Sequence, residues 1–380
     1  MKYILSFVLM LTLSARSQSN SVVWSYNSFG FKLLTQVHRS NPDKNIFLSP
    51  PGVGFALSMV ANGAKGETLR QIKAVLRLDE SADLNAANQA LLEENLGPKI
   101  KLEIANGLWA DTKLKPKFLA TTRQAYHAEA ASVDFKDPQT VKSINDWVSA
   151  QTQGKITEMV QAPLDPTLRL IVMNAIYFKG NWTVPFDPKQ THDLPFTLGN
   201  GQTVSQPRMS RTGDFEYFEN DAFQEVRLPY ADGEASLDIT LPRKNLDDLF
   251  SPVTANGPPL HFRKGTVELP RFKLKNSYAL NDALTALGMP LAFTRQADFS
   301  GIASESLYIG WVKQKTFVEV NEEGTEAAAA TGVGMRAMAV HREPPPFRMV
   351  MDRPFLVSLI EKKTGLILFL GVIVDPRSNE

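Results

Sequence analysis

The chain is 380 residues long, with 43% apolar and 21% charged residues, a balance that excludes a disordered chain and fits packed globular domains. Its 41 basic and 40 acidic residues leave a net charge of +1, so no global field favours nucleic acid or an anionic membrane. The absence of cysteine excludes disulfides, thiolate metal sites and cysteine nucleophiles; it does not exclude export, because a core of this size needs no covalent staples.

The first residues differ from the rest. Lys2 precedes an apolar run, Tyr3 to Leu13, and the small and polar group Ser14-Ala15-Arg16-Ser17 follows. A positive start, a short apolar stretch and a small-residue exit describe a secretory signal peptide, expected over residues 1–17. The run is too short to span a bilayer. The alternative is an apolar helix start that belongs to the fold.

Helical spacing of apolar residues then predicts helices over Val22 to Val37, Pro51 to Ala61, Glu67 to Leu76, Leu84 to Leu96 and Val141 to Met159. Lys101 to Trp109 alternates as a strand does. Leu168 to Phe178 is apolar throughout, which suits a strand buried on both faces. Strand patterns dominate from Phe215: Glu225 to Leu228, Ala235 to Leu241, Gly265 to Lys273 and Leu307 to Val320. A hairpin closes the chain, with Phe355 to Ile360 and Leu366 to Val374 around a turn at 361–365. No repeat or long linker divides the chain, so the expectation is one α+β domain over 18–380 with several sheets.

Asn321 to Val350 breaks the pattern. A connection of that length inside a compact domain is uncommon and usually functional or disordered. Read at period two, Thr325, Ala327, Ala329, Thr331, Val333, Met335 and Ala337 carry no charge, whereas the alternate set holds Glu326 and Arg336. One uncharged face and one polar face make a strand pattern. Proline is absent until Pro344, as a strand hydrogen-bonded on both edges requires. The stretch Gly324 to Met338 would extend roughly 50 Å as a strand. The same residues also allow a solvated linker or an alanine-rich helical turn over 322–330.

The run Glu322-Glu323-Gly324-Thr325-Glu326-Ala327-Ala328-Ala329-Ala330-Thr331 resembles the hinge of inhibitory serpins. The resemblance extends along most of the chain. It takes in Asn45 to Pro50, Asn174 to Gly180 with Trp182 and Pro185-Phe186, Asp298 to Ile302, Asp352 to Phe355, and Phe369 to Gly371 followed by Asp375-Pro376. It implies a serpin fold of three β-sheets and eight to nine helices, with an exposed reactive-centre loop at about 322–346. It also implies a serine protease inhibitor that acts as a suicide substrate, its cut loop 324–338 inserting as a strand into the main sheet; the expected signal peptide makes it secreted, and a monomer is expected. The partner is a serine protease held as a covalent acyl complex, and no cofactor or metal is needed. Counted from the hinge glycine Gly324, the family spacing puts the reactive bond at Met338–Ala339. An unbranched apolar side chain there suits elastase-, chymotrypsin- or subtilisin-like enzymes. Arg336 is the alternative cleavage point for a trypsin-like enzyme. A sheet-opening region is expected at Ser49, Asn174, Trp182 and Gln314. Gln314 stands where many relatives have histidine, and Gly52 where many have serine. Gln314 can still reach Asn174 or Ser49, so altered gating is expected rather than lost function.

Other readings fit less well. A hydrolase would need a nucleophile, a base and an orienting partner. His38, His127, His192, His261 and His341 sit in no catalytic or zinc-binding spacing. A non-inhibitory carrier, chaperone or storage serpin would place bulky, charged or proline residues in the hinge, and Thr325, Ala327, Ala329 and Thr331 are none of these. No clear polysaccharide site appears: the 79–101 region has Asp79, Glu80, Asp83, Glu93 and Glu94 against Lys99 and Lys101. Asn181-Trp182-Thr183 is a formal glycosylation sequon beside a strand end.

Overall fold

The computed structural model describes residues 2–78, 83–94, 96–250, 257–325 and 344–377. The helices are α1 (Lys2–Ser40), α2 (Pro50–Ala61), α3 (Gly66–Leu76), α4 (Leu84–Leu92), α5 (Pro116–Tyr126), α6 (Pro138–Gln151) and α7 (Asn281–Leu287). The strands in the first half are β1 (Ile46–Leu48), β2 (Ile100–Ala110), β3 (Glu129–Ser132), β4 (Leu170–Asn181) and β5 (His192–Thr197). They continue with β6 (Thr203–Glu219), β7 (Phe223–Tyr230), β8 (Ala235–Pro242), β9 (His261–Pro270) and β10 (Phe272–Ala279). The last are β11 (Trp311–Asn321), β12 (Gly324–Thr325), β13 (Phe347–Val350), β14 (Phe355–Glu361) and β15 (Ile367–Ile373).

Local chemistry sets several of these boundaries. Ser49 caps α2 by accepting from the Gly52 amide, with Pro50 at the first helical position, where a missing N–H costs nothing. Every residue of α2 is buried, as its nearly all-apolar sequence requires. The helix predicted to Leu96 stops at Leu92, because Glu93 and Glu94 follow where the helix dipole disfavours negative charge. The helix predicted to Met159 stops at Gln151, where Gln153 and Gly154 turn to positive φ.

Strands β10-β11-β12-β4-β2-β3 form a six-stranded sheet, in which β11 also pairs directly with β4. The other sheet has nine strands, in the order β1-β15-β14-β8-β7-β6-β9-β13, with β5 added on β6. The main core lies between these sheets and around α2, and includes Tyr26, Phe29, Phe55, Phe178, Tyr230 and Phe369. A smaller core, with Ile144, Val148, Met173 and Tyr177, lies under α6 on the opposite face of the six-stranded sheet.

The expected three sheets are two among the described residues. The cause is β6: it pairs with β5 and β9 along most of its 17 residues, then with β7 at Glu216–Glu219, so it fuses two strand groups into one ladder. The expected eight to nine helices are seven α-helices among the described residues. Leu246–Phe250 and Leu291–Phe293 close only as short 3-10 turns.

Candidate functional site

The central feature is the seam between β4 and β11. From Trp311↔Ile171 to Phe317↔Tyr177 the two strands pair in parallel. Above that point β12 enters between them, antiparallel to both: Thr325 lies opposite Gly180 and Val320, and Gly324 opposite Asn181 and Asn321. Gly324 and Thr325 of the hinge are therefore already a short strand at the top of the seam. The exposed loop expected to begin at Glu322 does not begin there, because Glu322, Gly324 and Thr325 are buried. Glu326, Ala327, Ala328, Ala329, Ala330, Thr331, Arg336, Met338 and Ala339 lie outside the described residues.

The described hinge residues are held by specific partners. The Asn321 carboxamide oxygen accepts from the amides of Glu323 and Gly324, at 3.0 and 3.3 Å, and so bends the chain back on itself. Gly324 has φ +143°, and a Cβ there would lie 2.3 Å from the Gly180 carbonyl oxygen; the reversal requires glycine on both counts. Thr325 is fully buried, with its hydroxyl 2.9 Å from that of Tyr230. Burial pushes the Tyr230 hydroxyl far above its ordinary range, so it stays neutral and able to donate. Glu322 accepts from Arg271 Nε at 2.7 Å and from the Thr191 hydroxyl. Burial alone would raise the Glu322 carboxyl, but these bonds outweigh it and hold the group below the ordinary carboxylate range.

Trp182 belongs to this upper end. Its indole stacks on Tyr230 with ring centroids 4.2 Å apart, and Nε1 donates to the Asn321 carbonyl at 2.9 Å. The amides of Trp182 and Phe186 donate to the carbonyls of Glu323 and Glu322. A cleft of about 520 Å³, bordered by Arg271, Lys273, Glu322 and Glu323, opens beside the hinge.

Ser49, Asn174 and Gln314 meet elsewhere, midway down the seam and roughly 20 Å from Gly180 along β4. Gln314 Nε2 donates to Asn174 Oδ1 at 2.8 Å and to the Ser49 carbonyl at 2.9 Å, and its Oε1 accepts from the Ser49 amide. Gln314 thus reaches both partners named from the sequence, while Trp182 is not with them. Gly52 makes room for this cluster, since a Cβ at that position would lie 2.2 Å from Asn174 Oδ1 and 2.9 Å from Gln314 Nε2. The longer glutamine and the missing side chain at position 52 are complementary.

Sequence reasoning missed Tyr230, Thr191 and Arg271, which come from distant elements and carry no local signal. Asn321 had one, since Asn before Glu-Glu-Gly is the pattern of a side-chain-capped turn. Among the described residues no cluster of His, Asp and Glu could hold a metal, and no helix is long and apolar enough to cross a membrane.

A family model described as Serpin (serine protease inhibitor) matches residues 25–376. An uncharacterised serpin-like protein of Thermococcus kodakarensis is 36% identical, over 95% of this chain and 87% of its own. Leukocyte elastase inhibitor A of Mus musculus is 35% identical, over 92% of this chain and 97% of its own. The crystal structure of native protease nexin-1 with heparin superposes with a TM-score of 0.84 at 26% identity, over 94% of this chain and 100% of that one.

Proposed function

Because the chain belongs to the serpin family of serine protease inhibitors, we propose that it traps a serine protease as a suicide substrate, offering the bond Met338–Ala339. The protease serine oxygen attacks the Met338 carbonyl, the bond to the Ala339 nitrogen breaks, and the segment ending at Met338 stays esterified to the enzyme. Segment 324–338 then enters between β4 and β11 and carries the enzyme with it. The Ala339 nitrogen takes the proton given up by the protease serine and becomes a free amine, while β13–β15 beyond it stay paired in the nine-stranded sheet.

One observation supports this reading above the others: β12 lies in the seam, hydrogen-bonded to both neighbours in a register that can be continued. In that register, position 327 comes opposite Phe178 and Val318, position 329 opposite Ile176 and Thr316, and position 331 opposite Asn174 and Gln314. Phe178, Ile176 and Val318 belong to the main core, so the uncharged set Thr325, Ala327, Ala329 and Thr331 would face it. Small side chains let a strand enter between packed neighbours without overfilling the space. The same features weigh against a carrier or storage role. Cleavage at Arg336 would shorten the tether by two residues and favour turnover over trapping.

The test is a panel of elastase-, chymotrypsin-, subtilisin- and trypsin-like proteases, read on denaturing gels and by mass spectrometry. The expected result is a complex that survives SDS with an apolar-preferring enzyme and a released peptide spanning Ala339–Glu380. A peptide beginning at Ala337 would move the bond to Arg336, and the absence of any stable complex would overturn inhibition by trapping.

The proposed site of action is outside the cytoplasm, after removal of residues 1–17. The Lys2–Leu13 pattern supports export. Amino-terminal sequencing of secreted protein should start near Gln18; an intact chain retained inside the cell would contradict export.

A further inference from the structure

A row of carboxamides crosses the six-stranded sheet. Asn106 on β2 is opposite Asn174 on β4, and Asn174 is opposite Gln314 on β11. All three are buried, at 1%, 1% and 0% exposure. Their bonds run one way: Gln314 Nε2 donates to Asn174 Oδ1, Asn174 Nδ2 to Asn106 Oδ1 at 3.0 Å, and Asn106 Nδ2 to the Tyr126 carbonyl at 3.2 Å. Each amide spends its oxygen on one neighbour and its nitrogen on the next. Reversing any one would bring like groups face to face, so the row holds as a unit.

The chain does not stop at Tyr126. Its hydroxyl donates to Asn85 Oδ1 at 2.7 Å and accepts from Asn62 and Asn88, at 3.2 and 3.4 Å. The hydroxyl is thereby saturated, and burial pushes it up to about 12, so it remains a donor. Asn85 and Asn88 lie on α4. One residue, Tyr126, thus anchors α4 through its side chain and the carboxamide row through its backbone.

We infer that Asn106 and Tyr126 are positioning residues for strand entry, through which α4 sets the strength of the Gln314–Asn174 contact. The inference rests on the β4·β11 seam being the entry path. A strand entering there must part Gln314 from Asn174. How readily Asn174 turns away depends on Asn106, which alone holds its Nδ2 among the described bonds. Asn106 is in turn aimed by a carbonyl at the end of α5, whose tyrosine is fixed by α4. Displacing α4 would loosen the row and ease opening, although Gln314 itself bonds only to Ser49 and Asn174 among the described side-chain bonds.

The experiment uses the full chain and a synthetic peptide of the sequence 324–338, whose uptake into intact protein is followed by native gel. Asn85→Ala, Asn106→Ala and the double variant are compared with wild type. Asn85→Ala is expected to speed uptake about fivefold. In the Asn106→Ala background the same change should have less than about a twofold effect. An Asn85→Ala effect of equal size in both backgrounds, or no effect in wild type, overturns the inference. Should Asn106→Ala fail to fold, hydrogen exchange on Asn85→Ala decides. Faster exchange confined to 172–176 and 312–316, with β8 unchanged, supports the coupling, while a uniform change or none refutes it. Failure of wild type to take up peptide at all would instead count against the seam as entry path.

Discussion

Thr325 shows how much a single position carries. It is the last described hinge residue, fully buried, with its hydroxyl on Tyr230. Thr325→Arg would require an unpaired guanidinium in that place, a burden of several kcal/mol that the chain escapes by leaving the seam. The expected outcome is a protein that proteases cleave but do not become trapped by. The assay is the ratio of cleaved product to SDS-stable complex, which should rise at least tenfold over wild type if the burden exceeds about 1.4 kcal/mol. Glu225 on β7 makes a different demand. Burial, then the nearby Asp238, push its carboxyl from the ordinary 4.5 up to about 7, against the opposing pull of Thr240 and Arg227. A carboxyl that holds its proton more tightly when folded stabilises the fold fully below pH 4.5 and loses that contribution as pH rises through 7. Glu225→Gln cannot ionise, so its melting temperature should fall less between pH 5 and pH 8 than that of wild type. Equal falls in the two proteins would show that Glu225 does not titrate in this range.

Single elements explain what could and could not be read from sequence. Strands β4, β14 and β15 are largely apolar, as burial on both faces requires, and β8 alternates Ala235, Leu237, Ile239 and Leu241 with polar residues, so their type and approximate limits were legible. The 17-residue β6 escaped notice: its polar, proline- and glycine-containing sequence is stabilised by pairing with three other strands rather than by local pattern. The run Gly265–Lys273 looked like one strand and is parts of two, because the chain breaks at Arg271 after Pro270 and changes sheet. Helix α5 was overlooked for lack of a strong apolar stripe; it begins at Pro116 and is held by Phe118 and Tyr126. For the site, the period of two across 325–337 was read from the sequence, but the lodging of Gly324 and Thr325 between β4 and β11 was not, since it depends on Gly180 and Asn181, more than a hundred positions away. The same logic gives a prediction for the inserted strand. Ala329→Pro removes an N–H that a doubly paired strand must donate, so insertion should stall below β12. Cleavage should continue while the yield of stable complex drops; undiminished complex would mean that position 329 is not paired.

The whole molecule is arranged around an unfinished sheet. Its two central strands run parallel over Trp311–Phe317, a pairing slightly weaker per residue than the antiparallel kind, and a short antiparallel strand already occupies the top of the gap. Adding residues to that strand exchanges one parallel interface for two antiparallel ones, each new hydrogen bond contributing about 1 kcal/mol net. On the proposed mechanism, the intact form would be retained by a barrier to which the Gln314–Asn174–Ser49 contacts and the anchored Gly324–Thr325 contribute, rather than by being the most stable arrangement. Thermal unfolding of intact protein beside protein cut once at Met338–Ala339 measures this difference directly. The account predicts that the cut form melts more than about 10 °C higher, because its freed strand completes the sheet. An equal or lower melting temperature after the cut would contradict it.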